Sequence, residues 1–285
     1  MNSNMESAKI LILGSRGTLG GQLMKVFGNQ AVGWNRNDAD VTDFSNLKSK
    51  ILQFKPTVII NCAAYNDVDG AESSKVSAQT LNSEVPKSLA QITKILDCIL
   101  VHFSTNYVFD GQKEEYAESD EPHPLSAYAE SKLLGERAIA ENCEQFYLVR
   151  TAVLFGPKGQ SLLSKRSFVD LMLDLAQKND TIRAVDDEIS SLTYSVDLAN
   201  QIKLIIDQAK PFGIYHVTNS GQASWYGFAK EILKISGSKV ALLPISSTDF
   251  HRAALRPKRA VLKNTKLPPL RPWQEALREY LNREA

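Results

Sequence analysis

Tyr128 and Lys132 stand at positions i and i+4 in the run Ala-Tyr-Ala-Glu-Ser-Lys, with Ser104 and Thr105 upstream. On a helix this spacing puts both side chains on one face. An ammonium beside a phenol favours phenolate, so Lys132 is expected to lower the Tyr128 pKa from its usual ~10. A phenol tuned in this way can pass a proton to a carbonyl oxygen while a hydride reaches the carbonyl carbon. A hydroxyl from Thr105 could share that carbonyl. Tyr-x-x-x-Lys alone is common by chance, so it needs a hydride carrier close by.

The N-terminal segment offers one. Gly14-Ser15-Arg16-Gly17-Thr18-Leu19-Gly20 follows an apolar run and opens a helical pattern. Glycines allow a tight turn and close backbone approach, and a helix N-terminus presents N–H groups to a pyrophosphate. The plain alternative is an ordinary strand-to-helix turn. The next strand ends in Trp34-Asn35-Arg36, without the carboxylate that would bind the ribose hydroxyls of NAD. Arg36, with Arg16, could instead receive a 2′-phosphate. NADPH is therefore the preferred cofactor, with NADH left open. Asp40-Val41 would border the adenine, and Ala63, Ala64 and Tyr65 would let a dinucleotide lie against backbone.

These residues need a scaffold, and the pattern supplies one. Strands are expected at Lys9–Leu13, Ala31–Trp34, Thr57–Asn61, Ile99–Ser104 and Phe146–Thr151. Helices are expected at Thr18–Phe27, Phe44–Phe54, Ser74–Asp97 and across Tyr128 and Lys132. Alternation of this kind makes a doubly wound parallel sheet of Rossmann type, an α/β fold. After residue 156 the pattern loosens: a loop at Pro157–Ser161, helices at Phe168–Lys178, Val196–Gln208, Trp225–Ile235 and Trp273–Asn282, and a strand at Gly213–Val217. The reading divides the chain into a disordered leader (1–8), a dinucleotide-binding core (9–156) and a smaller substrate-binding lobe (157–285). Some segments of that lobe return to the core.

Composition narrows the function classes. The chain has 285 residues, 43% hydrophobic and 23% charged, with a net charge of +1. Such balance gives no electrostatic case for nucleic acid or an anionic membrane. No apolar run approaches the ~20 residues of a membrane span, and no apolar signal segment opens the chain. Cys62, Cys98 and Cys143 are widely spaced, and Cys62 and Cys98 read as buried reduced thiols, which fits a cytoplasmic protein. The four histidines show no ligand spacing, so no metal is expected. His102 reads as a satisfied core histidine, and Glu114-Glu115 and Asp120-Glu121 as a solvated loop face. Arg252, Arg256, Lys258 and Arg259 form a basic cluster. It is either solvated or a clamp on a nucleotide diphosphate, with Arg256 the best candidate. A homodimer is left open.

The glycine loop, the Ser-Thr pair and Tyr-x-x-x-Lys come in the order of an extended short-chain dehydrogenase/reductase, and other segments narrow the likeness. Ser104-Thr-Asn-Tyr-Val-Phe-Asp-Gly111 resembles the Ser-Thr-Asp-Tyr-Val-Phe-Asp-Gly of dTDP-4-dehydrorhamnose reductases. So do Asn61-Cys-Ala-Ala-Tyr65, Val68-Asp69-x-Ala71-Glu72, Tyr128 to Gly135-Glu136, Gly213-Ile-Tyr-His216, Ser224-Trp-Tyr-x-Phe-Ala229, Arg256-Pro257 and Leu270-Arg-Pro-Trp-Gln-Glu-Ala-Leu277. The resemblance covers nearly the whole chain. It implies that NAD(P)H reduces the 4-keto group of a dTDP-linked 4-keto-6-deoxy sugar, giving dTDP-L-rhamnose. It implies Tyr128 as proton donor, Lys132 on the phenol and the nicotinamide ribose, and Thr105 orienting the carbonyl. It also implies residue 106 beside the sugar, Gly17, Thr18 and Leu19 on the pyrophosphate, and Phe103 along the cofactor.

Several positions depart from the family pattern. Arg-Thr-Ser-Trp-Val-Tyr-Gly becomes Arg150-Thr-Ala-Val-Leu-Phe-Gly156, so Val153 stands where an aromatic would face the sugar or base. The Asp after Ser-Thr is Asn106. Asp-Gln-x-Gly-x-Pro-Thr becomes Asp187-Glu-Ile-Ser-Ser-Leu-Thr193. The expectation is a nucleotide-sugar reductase. The rivals are a reductase or epimerase of another nucleotide sugar, and an NADP-binding regulatory subunit resembling that of methionine adenosyltransferase. Dehydration is disfavoured because Asn106-Tyr107 offers no Asp-Glu acid–base pair.

Overall fold

The computed structural model describes residues 9–161 and 166–284, so the expected leader lies outside the described residues. Five strands alternate with helices: β1 (Ile10–Leu13), β2 (Ala31–Trp34), β3 (Val58–Asn61), β4 (Ile99–Thr105) and β5 (Phe146–Thr151). They pair in parallel in the order 2-1-3-4-5, and the strand Gly213–His216 adds a sixth beside β5. Both faces of this sheet are covered. Ile10 and Ile12 join the apolar cluster on one face, and Leu11 and Leu13 that on the other, so β1 reads as an unbroken apolar run. Strand order reverses between β1 and β3, which opens the ligand crevice outside their C-terminal ends. The fold is the expected Rossmann-like α/β sheet.

Helices α1 (Thr18–Phe27) and α2 (Phe44–Phe54) fall where the pattern put them. The helix expected over Ser74–Asp97 forms from Lys75 to Leu96, with a π-helical turn inside it. Short helices α3 (Gly70–Ser73) and α4 (Lys75–Gln79) lead into a π-helical turn at Thr80–Glu84, and α5 runs Val85–Leu96. Pro86 is the cause of the turn: in a regular helix its ring would strike the carbonyl four residues back, that of Asn82. The displaced carbonyl points at α6 (Ala127–Asn142), where only a glycine leaves room. A Cβ on Gly135 would lie 2.0 Å from the Asn82 oxygen.

The remaining helices are α7 (Phe168–Lys178), α8 (Ser195–Asp207), α9 (Trp225–Ile235) and α10 (Trp273–Glu284). α8 returns to pack on α1. A second apolar cluster around Phe155, Tyr194, Phe228, Trp273 and Tyr280 holds α7, α9 and α10 together. Small sheets accompany it, one of them pairing Thr181–Val185 with Ala241–Ile245. In another, Ile189–Ser190 lies between Ala223–Ser224 and Arg259–Ala260. Among the described residues no helix is long and apolar enough to cross a membrane.

Candidate active site

β4 carries Phe103, Ser104 and Thr105 to the C-terminal edge of the sheet, and all three are buried. α6 starts beside them. Its N-cap Ser126 accepts from the Ala129 N–H, and the Glu72 carboxylate accepts from the Ala127 N–H at 2.9 Å. These caps satisfy helix-end donors and fix where the first turn points. Tyr128 lies in that turn and Lys132 one turn later, both buried. The Thr105 hydroxyl acts on the phenol from the end of β4, drawing its pKa down.

The electrostatics differ from the expectation that Lys132 lowers the Tyr128 pKa. Burial raises the phenol well above its ordinary value, with only the Thr105 hydroxyl working the other way. Burial also lowers Lys132 to about 8, against the attraction of Glu136, and its Nζ donates to the Phe103 carbonyl at 3.1 Å. Desolvation dominates both shifts because both groups are buried away from water. Tyr128 is therefore held as a neutral, proton-bearing phenol.

Beneath Lys132 lies a buried ion network. Glu136 pairs with Arg150 through Nε at 3.0 Å and Nη2 at 2.6 Å, and accepts from the Ser104 hydroxyl. The Arg150 guanidinium also lies over the Phe109 ring, 5.1 Å from its centroid. His102 is less satisfied than expected. Its Nδ1 faces the Asn61 amide at 3.2 Å, while its Nε2 has no partner.

The cofactor candidates gather at the sheet's switch point. Gly14 has φ +73°, and a Cβ there would lie 2.9 Å from the Ala63 nitrogen; at Gly20 it would lie 2.3 Å from the Gly14 oxygen. These contacts draw the glycine loop against Cys62-Ala63. Gly17 is the N-cap of α1, with no side-chain cap and no acidic residue in the first turn. Thr18 and Leu19 thus begin a helix whose positive end suits an anion. Arg16 is exposed on the loop.

At the end of β2, Asp38 accepts from the Asn35 backbone at 2.8 Å, and Asp40 accepts from the Thr42 backbone and hydroxyl at 2.9 and 2.7 Å. Asp40 is therefore a turn cap, and those bonds hold its carboxyl below the usual range. Val41 packs on the core beside it. Arg36 keeps 75% of its side chain exposed and pairs with Asp40 at 3.4 Å. A guanidinium so placed, with both nearby carboxylates engaged in turns, fits a 2′-phosphate better than a bare ribose.

The substrate candidates fare differently. Asn106 is buried, and its amide nitrogen donates to the Ala260 carbonyl at 2.8 Å and to Ser190 Oγ at 2.9 Å. Val153 adopts a left-handed φ of 37°, costly for a β-branched residue, at a small cavity of about 10 Å³ lined by Glu188, Ser190, Ser224 and Trp225. Arg256, left open as solvated or as a diphosphate clamp, is engaged within the protein. Its fork grips Asp69 at 2.6 Å through both terminal nitrogens, holding that carboxyl at about 2. The other basic residues of its cluster are also paired: Arg252 with Glu188, Lys258 with Asp187 and Arg259 with Glu114. Arg256 and Arg259 tie the lobe to the core, whereas Arg252 and Lys258 pair within the lobe, Lys258 still largely exposed. Glu114, Glu115 and Glu121 lie on an exposed loop face as expected, and Glu114, Glu115 and Asp120 also carry ion pairs there. Cys62 is only partly buried, whereas Cys98 and Cys143 are buried; all three are free thiols.

The family model described as the RmlD substrate binding domain matches residues 8–285. The chain belongs to that family. A dTDP-4-dehydrorhamnose reductase of Streptomyces griseus is 34% identical, with 94% of this chain and 91% of that protein covered. A dTDP-4-keto-6-deoxy-D-glucose reductase of Streptomyces niveus is 32% identical, with 94% of each chain covered. The crystal structure of a dTDP-4-dehydrorhamnose reductase from Bacillus anthracis in complex with NADP superposes with a TM-score of 0.92 at 31% identity. That comparison covers 97% of this chain and 99% of the other.

Within this RmlD-family fold, several supporting residues escaped the sequence reading. Asn82, freed by the π turn, accepts from the Tyr65 N–H at 2.9 Å and donates to the Tyr65 carbonyl and Ser131 Oγ, both at 3.0 Å. It thereby joins the cofactor-side loop to the catalytic helix. Gly159 presses on the glycine loop so closely that a Cβ would lie 2.4 Å from Gly17, and the Ser161 N–H donates to the Arg16 carbonyl at 2.9 Å. Pro86 and Gly135 were visible signals for the first contact. Nothing in the local pattern announced the second.

Proposed function

We propose that this chain is an NADPH-dependent reductase of the 4-keto group of a dTDP-linked 4-keto-6-deoxy sugar, of the dTDP-4-dehydrorhamnose class, working in the cytoplasm. The observation that carries this reading is the buried Thr105–Tyr128–Lys132 set at the crevice edge formed by the Gly14–Gly20 loop. The names of the relatives and the NADP complex of a close structural neighbour support it.

NADPH, when bound, supplies the hydride. The residues that would hold it are Gly14, Gly17, Thr18, Leu19 and Gly20 at the pyrophosphate, Arg36 and Arg16 at the 2′-phosphate, and Ala63, Ala64, Tyr65 and Phe103 along its length. Lys132 faces the nicotinamide end. Thr105 orients the sugar carbonyl. Tyr128 delivers its hydroxyl proton to the carbonyl oxygen as the carbon is reduced, leaving a hydroxyl on the sugar. A buried neutral phenol suits this direction of transfer, because a donor must carry its proton at neutral pH. Lys132, at about 8, is largely an ammonium at that pH and steadies the phenolate as it forms.

NADPH oxidation with a panel of dTDP-4-keto-6-deoxy sugars tests this function. Turnover of at least one sugar is expected. Tight NADPH binding with no turnover on the whole panel would overturn it, and would favour a cofactor-binding regulatory subunit.

A further inference from the structure

Asn106 follows the catalytic threonine, where the resembling sequences carry aspartate, and its surroundings are specific about which it can be. Its side chain is buried, with the residue 2% exposed. One partner of its amide nitrogen is the Ala260 carbonyl at 2.8 Å, which can only accept. The other is Ser190 Oγ at 2.9 Å, whose own hydrogen goes to the Ser191 carbonyl at 3.0 Å. Both partners therefore demand a donor. This fixes the amide orientation, and a carboxylate could satisfy neither partner as they stand. Ser190 and Ala260 are register partners in the small lobe sheet. On its other side, the Asn106 carbonyl faces the Thr105 hydroxyl at 3.4 Å, and Thr105 Oγ1 accepts from the Tyr107 N–H at 3.2 Å.

We propose that Asn106 is a positioning residue, a strut that fastens the lobe sheet at Ser190 and Ala260 to the end of β4 and thereby fixes Thr105. It does not touch the sugar. This rests on Thr105 being the hydroxyl at the reacting carbonyl. Joining the lobe to β4 makes the wall of the cavity at Val153, through Ser190, continuous with the catalytic turn.

Asn106→Asp is the discriminating variant. A buried carboxyl facing a carbonyl oxygen has its pKa raised above the ordinary ~3.9, because only the protonated form can donate. Folded-state pKa above unfolded means that stability is highest at low pH and falls as pH rises through the folded value. The ionisable groups on the elements meeting there are Tyr107, Tyr128, Lys132, Glu188, Arg252, Arg256 and Arg259. All are present in the wild type, which serves as the control.

Melting temperature of the full chain, and kcat and KM with dTDP-4-dehydrorhamnose and NADPH, are measured for wild type, Asn106→Asp and Asn106→Ala between about pH 5.5 and about pH 9. Relative to wild type, Asn106→Asp should lose melting temperature and about tenfold in kcat toward high pH and recover toward low pH, with KM little changed. Asn106→Ala should show a fall of similar size with no such recovery. An Asn106→Asp protein that tracks wild type at every pH overturns the strut, as does a rise in KM with kcat unchanged. If Asn106→Asp does not fold at any pH, Asn106→Ala decides: wild-type melting and kcat overturn the proposal, and a lowered kcat at unchanged KM supports it. Should the wild type turn over no sugar while Asn106→Asp shows the pH-dependent melting, the reductase reading fails and the strut stands.

Discussion

Lys132→Met should make the cofactor-free protein more stable while abolishing its chemistry. The Lys132 residue is 3% exposed, and burial lowers it from 10.5 to about 8. Between those values the folded chain binds fewer protons than the unfolded one, so wild-type stability rises with pH across that window. About 2.5 pH units at 1.36 kcal/mol each corresponds to about 3 kcal/mol by which the buried ammonium weakens the fold at neutral pH. Methionine removes that cost but also the Nζ bond to the Phe103 carbonyl, about 1 kcal/mol. The expected gain at neutral pH is therefore about 2 kcal/mol, or roughly 4 °C in Tm for a chain of this length. It should disappear, or reverse, near pH 10.5. Urea unfolding of both proteins at neutral pH and near pH 10 reads this directly. If Lys132→Met keeps the wild-type stability at neutral pH and the wild-type rise toward pH 10, Lys132 is not desolvated as placed and the reasoning is wrong.

Tyr128→Phe should leave NADPH affinity near wild type and lower kcat by ~10² or more, the usual contribution of general acid catalysis, as steady-state NADPH oxidation would reveal. Wild-type turnover in that variant would remove Tyr128 from the proton-donor role. Arg36→Ala should weaken binding of NADPH but not NADH in a fluorescence titration, and equal losses for both would reject the 2′-phosphate assignment. Glu136→Gln strands the Arg150 guanidinium, which is 2% exposed, without its anion. A loss of about 3–5 kcal/mol in urea unfolding is expected, and a loss below about 1 would show that the pair is not buried in solution.

Much of the core was legible because local rules and tertiary demands agree there. β1 is apolar at every position since both faces of a parallel sheet are covered, and the glycines after it answer one close approach. The helix expected over Ser74–Asp97 was legible, but not the π turn inside it, because periodicity does not register what Pro86 does to the Asn82 carbonyl. The partner of Arg256 was not legible, because a sequence motif does not reveal that Asp69, far away in the chain, takes both ends of its fork.

By itself, then, the sequence determined the sheet, the glycine loop, the i, i+4 pairing of Tyr128 with Lys132 and the family likeness. Each of these depends on short-range spacing or on the period of one element. Tertiary structure alone decided the charge state of that pair, the donor-only surroundings of Asn106 and the partners of the basic cluster. A pKa depends on how much water is excluded, and a hydrogen bond on which atom faces which. Both are set by segments that meet only when the lobe closes on the sheet, as when Ala260 meets Asn106.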